Sequence, residues 1–274
     1  MVDYPGSIYD PRTKENAIGV TYDPTKTKVA FAEDITKLDA EVIAIEQELN
    51  DAKALLNLYD PLMLPWDDTG LVLYLPFDEN TGEVAGDKSF YGNDGAFKGA
   101  GEPAWSEGHR NAGVDFDGTD DYVKVLSDAS LQFDGDFSFS VWVKAVSEDD
   151  YDKIVRSDGA TCRMYLYGRA STETLTIVVK DNNSHQAVSV VSGIFDNSWH
   201  HLVVVAEGTQ LKTYKDGEKL DEDDGGFDTG FTFGDWYLGA DSETHFFLKG
   251  KLDEVRIYNR ALSAEEVKMH YLRS

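Results

Sequence analysis

Beyond Leu71 the chain alternates apolar and polar positions in short runs: LVLYLPF, DYVKV, FSFSVWVKA, RMYLYG, TLTIVVK, AVSVVSG, HHLVVVAE, LKTYKDGEKL, WYLGA and KLDEVRIY. Gly, Asp and Asn turns part them. A period of two is that of a strand with one buried face, and many such runs without helical patterns between them predict an all-β sandwich or barrel. In FSFSVWVK, Phe137, Phe139, Val141 and Val143 share one face, and Ser138, Ser140, Trp142 and Lys144 share the other. Trp142 then needs either cover from another segment or an exposed task. A terminal helix is predicted over 263–272, because Ser263 and Glu266 have the spacing of a capping box. It should dock the C-terminus onto the sandwich.

The first 70 residues follow other rules. Residues 1–33 are rich in turn formers and lack a sustained period, which reads as an extended arm. From Asp34, Ile35, Leu38, Val42, Ile45, Leu49, Ala52 and Leu56 repeat with 3-4 spacing. That narrow seam predicts a coiled coil over 34–58, ended at Asp60-Pro61 and followed by a linker through residue 70. Mixed Ile, Val and Leu at the core positions suit a homotrimer at least as well as a dimer.

Charge narrows the partners. The chain carries 51 acidic and 25 basic residues, for a formal net charge of -26. The first 70 residues hold 14 acids against 6 bases and the rest 37 against 19, so both parts are acidic and nucleic acid is an unsuitable partner. A single cysteine, Cys162, rules out an intramolecular disulfide and a Cys-based zinc site. No signal peptide opens the sequence, and no apolar stretch reaches the ~20 residues of a membrane span. Cytoplasmic synthesis without membrane insertion is expected.

The blocks LVLYLPFDENTG, DKSFYGNDGAF, VDFDGTDDYVKV, FSFSVWVK, NSWHHLVVV with TYKDGEKL, and YLGADSETHFFLKGKLDEVRIYNRALSAEEV resemble, in that order, the laminin-G-like and concanavalin A-like lectin and glucanase superfamily. The resemblance covers residues 71–274. It implies an antiparallel jelly-roll β-sandwich with sugar- or protein-binding loops at a rim. It also implies a structural Ca2+ site, for which Asp78, Asp87, Asn93 and Asp253 are the candidates if the closing strand lies beside the opening one. The arm and coiled coil resemble the N-terminal pieces of phage and prophage tail-fibre-like proteins, which places the chain on a virion or outside cells after assembly.

Glucan-hydrolysing members carry E-x-D-x-E or E-x-D-x-x-E on one strand, setting two carboxylates ~5 to 5.5 Å apart for retaining chemistry. No strand here has that pattern, so no enzyme is expected. His200 and His201 should point to opposite faces and serve structure. The acidic run Asp221 to Asp224 reads as a solvated turn. Trp105, Trp236, Tyr237 and Tyr167 are the aromatic candidates for a sugar platform, each with an equal claim to the core. The expected function is a non-catalytic module that binds glycan or a cell-surface receptor on an oligomeric attachment protein. The alternative is a decoration protein that contacts other virion subunits without binding glycan.

Overall fold

The computed structural model describes residues 68–273 apart from 102, 147–149 and 229, together with residues 9–10 and 15–16. The coiled coil expected over 34–58 and most of the linker lie outside the described residues. Within the segment read as an arm, Tyr9–Asp10 pairs antiparallel with Glu15–Asn16.

The alternating runs become strands of two eight-stranded antiparallel sheets. Across the first sheet the strands are Glu218–Asp224, Gln210–Lys215, His200–Glu207, Phe137–Val146, Lys249–Tyr258, Ala112–Asp117 and Ala104–Glu107. The opening strand Leu71–Leu75 pairs with the C-terminal half of Lys249–Tyr258, with Arg256 opposite Tyr74, so the sandwich's opening and closing strands lie side by side as the resemblance implied. The second sheet runs Gln186–Ser192, Thr174–Lys180, Arg163–Arg169, Lys153–Asp158, Trp236–Leu238, Tyr122–Val125, Gly95–Lys98 and Val84–Ala85.

The apolar halves of the alternation meet between the sheets. Phe137, Phe139, Val141 and Val143 face Met164, Leu166, Leu175, Ile177, Val179 and Trp236 in one core. Phe139 and Trp236 stack at 6.2 Å. The Asp216-Gly217 turn has positive φ at both residues (52° and 79°), the left-handed pair that a two-residue hairpin of this twist requires.

The closing motif LDEVRIY departs from alternation. Between the pairs Ser140 with Arg256 and Trp142 with Asp253 the register slips by one residue, and Glu254 takes φ 53°. This bulge sets both Asp253 and Glu254 on the roofed outer side of the sheet, the side of Trp142 and Tyr74. Glu254 forms a buried ion pair with Arg256 and accepts a hydrogen bond from the Tyr74 hydroxyl at 3.1 Å. The Arg256 guanidinium lies 4.2 Å from the Tyr74 ring centre. Charges so enclosed are tolerated because every partner is present.

A roof covers the outer side of the first sheet. The helix Ala264–Arg273 starts with the predicted capping box: Ser263 N donates to Glu266 Oε2 at 2.8 Å and Glu266 N to Ser263 Oγ at 3.2 Å. Its Val267 joins Leu71, Val203, Val205, Tyr214, Tyr258 and Leu262 in a second apolar cluster. Trp142 receives the cover its position demanded. It stacks on His109 at 3.4 Å, with His201 at 5.1 Å and Tyr271 at 5.7 Å.

The acidic run is a strand rather than a turn. Asp221 accepts a hydrogen bond from Ser189 Oγ and Asp223 from the Val188 backbone N–H, both at 2.8 Å. Carboxylates of one sheet thus cap the edge strand of the other, satisfying donors that would otherwise invite another chain. Among the described residues no helix is long and apolar enough to cross a membrane.

Candidate functional site

Among the described residues no segment roofs the outer side of the second sheet. Its strand Arg163–Arg169 alternates half-exposed with buried residues throughout, sending Met164 and Leu166 to the core and Arg163, Tyr165, Tyr167 and Arg169 outward. Registers extend these positions into rows across the sheet. Lys124, Tyr237, Arg156, Tyr165, Val178 and Val188 form one row, and Tyr167, Thr176 and Val190 form part of the next.

Cations fix the aromatic rings. Lys153 Nζ lies 4.6 Å from the Tyr167 ring centre, 5.6 Å from those of Tyr151 and Tyr165 and 5.2 Å from that of Phe246, and pairs with Asp241 at 3.3 Å. Burial lowers the pKa of this ammonium, so the rings and Asp241 are what hold its charge. Arg156 is paired with Asp158, which also accepts a hydrogen bond from the Tyr165 hydroxyl at 2.6 Å. Burial and that bond push the Tyr165 hydroxyl up to about 12. Arg169 donates to Thr176 Oγ1 at 3.2 Å and to the Tyr167 hydroxyl at 3.3 Å. Beside Tyr167 and Arg169 lies an open trough of about 530 Å³, floored by Thr174, Thr176, Val178 and Val190. Ring faces, fixed guanidinium groups and hydroxyls spread over adjacent rows of this face are equipped to grip a flat, hydroxylated ligand.

The four residues expected around calcium each hold a loop. Asp87 accepts from the backbone N–H groups of Tyr74, Ser89 and Asn93, all at 2.8 Å. Asn93 Nδ2 donates to the Val72 carbonyl at 2.8 Å and to Ser130 Oγ at 2.9 Å. Asp78 and Asp253 both bind the 109–112 loop: Asp78 accepts from Ala112 N at 3.2 Å, and Asp253 from Arg110 N at 2.9 Å. The structure therefore brings Asp87 to Asn93, and Asp78 and Asp253 to one loop. Among the described residues the groupings with ligand atoms within 4.8 Å of one another are Asp181-His185-Asp228 and Asp117-Asp120-Asp121. The candidate carboxylates are in neither. Burial, reinforced by Glu254, raises the Asp253 carboxyl to about 8, which favours its neutral acid. Calcium stays an expectation of the family resemblance.

The other singled-out residues divide cleanly. His200 bridges Asp216 at 2.9 Å and Asp196 at 3.1 Å, while His201 is fully buried with Nε2 2.9 Å from Ser140 Oγ. Trp236 is core, and Trp105 packs on Phe97 at 4.8 Å while donating to the Gly82 carbonyl. Tyr167 and Tyr237 do lie on the open face. Tyr165, Arg163 and Arg169 were missed, although the alternation in RMYLYGR already sets them on one side with Tyr167. Asp253 and Glu254, at 0% and 1% exposure, are closed to any substrate.

Residues 117–268 match the family model described as the concanavalin A-like lectin/glucanases superfamily. No curated protein matches the chain. Among solved structures, the botulinum neurotoxin serotype G binding domain superposes with TM-score 0.60 at 14% identity, over 74% of this chain and 50% of that one. The botulinum neurotoxin serotype D ligand binding domain in complex with N-acetylneuraminic acid gives TM-score 0.60 at 16% identity, over 74% and 50%. The chain thus spans about half the length of these toxin domains. Domain 4 of the extracellular arabinanase AbnA from Geobacillus stearothermophilus, in complex with arabinotriose, gives TM-score 0.58 at 18% identity, over 72% of this chain and 96% of that one. At these identities the shared property is the fold, and with more than half of the sequence matched by the family model the chain belongs to the concanavalin A-like lectin/glucanases superfamily.

Proposed function

We propose that this chain is a non-catalytic module that binds carbohydrate on the open face of the second sheet, as part of an oligomeric, virion- or tail-associated attachment protein. The observation that carries the binding reading is the pair Tyr165 and Tyr167, held on an uncovered face by Lys153, Arg156 and Arg169. A sugar ring presents an apolar C–H face to an aromatic ring and its hydroxyls to the polar groups alongside. Complexes of similarly folded domains with arabinotriose and with N-acetylneuraminic acid support the same reading. The virion setting rests on the resemblance of the N-terminal segment, whose heptads would multiply weak domain contacts into avidity.

A glycan array tests the proposal directly. Wild type should bind a subset of glycans saturably, and Tyr165→Ala/Tyr167→Ala should weaken that binding at least tenfold with its circular dichroism unchanged. Silence on the array, together with co-purification in assembled particles, would overturn the reading in favour of a decoration protein. For the oligomer, Ile45→Asp with Leu49→Asp should convert a trimer or dimer to monomers in light scattering, whereas a wild type already monomeric at micromolar concentration contradicts the stalk.

A further inference from the structure

We infer that the stripe Arg163, Tyr165, Tyr167 and Arg169 selects an anionic glycan, a sugar chain bearing carboxylate or sulfate groups, over a neutral one; this rests on the binding face proposed above. The chain has twice as many acids as bases, 51 against 25, yet cations collect on this face. Three of them are neutralised internally. Lys124 pairs with Glu243 at 3.0 Å and Asp235 at 3.2 Å, Lys153 with Asp241, and Arg156 with Asp158.

Arg163 and Arg169 differ. Among the described residues neither forms an ion pair with a carboxylate, and Lys180, directly across from Arg163, forms none either. Arg169 is bonded to hydroxyls, and Asp150 acts on it only through space. The Nε of Arg163 is shielded from water and has no hydrogen-bond partner in the protein. The side chain as a whole is half-exposed and lacks a carboxylate partner among the described residues, a partner that an incoming oxyanion would supply.

Geometry suits a chain rather than a point charge. Outward residues on one strand recur every ~6.6 Å, so Arg163 and Arg169 stand roughly 20 Å apart with two rings between them. A polymer with repeated negative groups meets a planar, bidentate fork at each end and stacks its rings between. The protein's overall negative charge does not forbid this. At physiological salt the screening length is about 8 Å, so contacts at the guanidinium groups outweigh the distant carboxylates.

The test uses the full chain and matched polymer pairs: polygalacturonate against its fully methyl-esterified form, and dextran sulfate against dextran. Calorimetry should find one charged polymer bound at least tenfold tighter than its neutral partner, and the pair that shows the preference identifies carboxylate or sulfate. Arg163→Gln with Arg169→Gln should erase the preference, bringing the charged and neutral members of that pair to equal affinity while circular dichroism stays unchanged. Equal binding of charged and neutral members in both pairs overturns the inference and leaves the glycan-binding face standing. A preference that survives in the double variant overturns it too. No binding to any polymer, coupled with a silent glycan array, removes the binding face itself.

Discussion

The two outer sheet faces of this sandwich begin from the same inner alternation and end as opposites. On the first sheet the outward positions are small, apolar or aromatic: Ser138, Ser140, Trp142, His201, Val203 and Val205, all buried. The segment 259–273 lies over them, and its Ala264–Arg273 helix contributes Val267 and Tyr271 to the cover. On the second sheet the outward positions Arg163, Tyr165, Tyr167, Arg169, Thr174 and Val178 stay partly exposed, with Lys153 and Thr176 buried among them. Strand burial reads continuously through Phe137–Val143 on the first and strictly alternately through Arg163–Arg169 on the second. One face is thus committed to stability and the other left available for a ligand. Substitutions should therefore separate into those that unfold and those that only stop binding.

The largest effect belongs under the first sheet. Arg256→Leu strands the Glu254 carboxylate in the interior, and breaking a buried pair from one side costs about 3–5 kcal/mol. Urea denaturation should show that loss; a midpoint within experimental error of wild type would dissolve the contrast between the faces.

Next comes Leu262→Ala, which opens a cavity between the sheet and its roof and should cost roughly 2–5 kcal/mol. Glycan affinity should not move, because the second sheet does not touch this cluster.

A smaller, pH-dependent effect also distinguishes the roof. Burial lowers His270 from 6.5 to about 3 and holds His201 well below 6.5. Both stay neutral when folded but take up protons below 6.5 when unfolded, so stability falls as pH drops through 6.5. For His270 alone the loss between pH 6.5 and 5 is roughly 2 kcal/mol. Asp253 acts with the opposite sign. Its carboxyl, raised to about 8, contributes stability that is full below 3.8 and is lost as pH rises to 8. Because two histidines outweigh one aspartate below 6.5, melting temperature should peak near pH 6.5 and decline on both sides. Asp253→Asn should flatten the alkaline limb; an unchanged limb would detach Asp253 from this role.

The smallest effect is expected on the open face. Val190, 58% exposed, should accept Val190→Thr within about 0.5 kcal/mol by thermal melting. A larger loss would mean that this face is packed against something.

How much of this was visible beforehand depends on whether the cause is local. Alternation in FSFSVWVK and RMYLYGR fixes which residues share a side, and the Ser263-Glu266 box marks a helix start, because strand and cap geometry involve neighbours in sequence. Which side remains open is a long-range matter. Trp142 is covered by His109 and Tyr271, residues distant in the chain, and no pattern around Trp142 encodes them. The bulge at Glu254 likewise interrupts the alternation that would have set Asp253 and Glu254 on opposite sides of the strand. Asp221 to Asp224 reads as a solvated turn in the sequence because it follows the Asp216-Gly217 hairpin, yet it belongs to a strand. Its partners, Val188 and Ser189, belong to the other sheet.

Hydrogen exchange measured with and without a glycan that scores on the array tests most directly whether the ligand sits on the second sheet. Binding there predicts slowed exchange in Arg163–Arg169 and Thr174–Lys180, with His200–Glu207 and Ala264–Arg273 unaffected. Protection confined to the roofed face, or to the 87–93 loop at the rim, would contradict it.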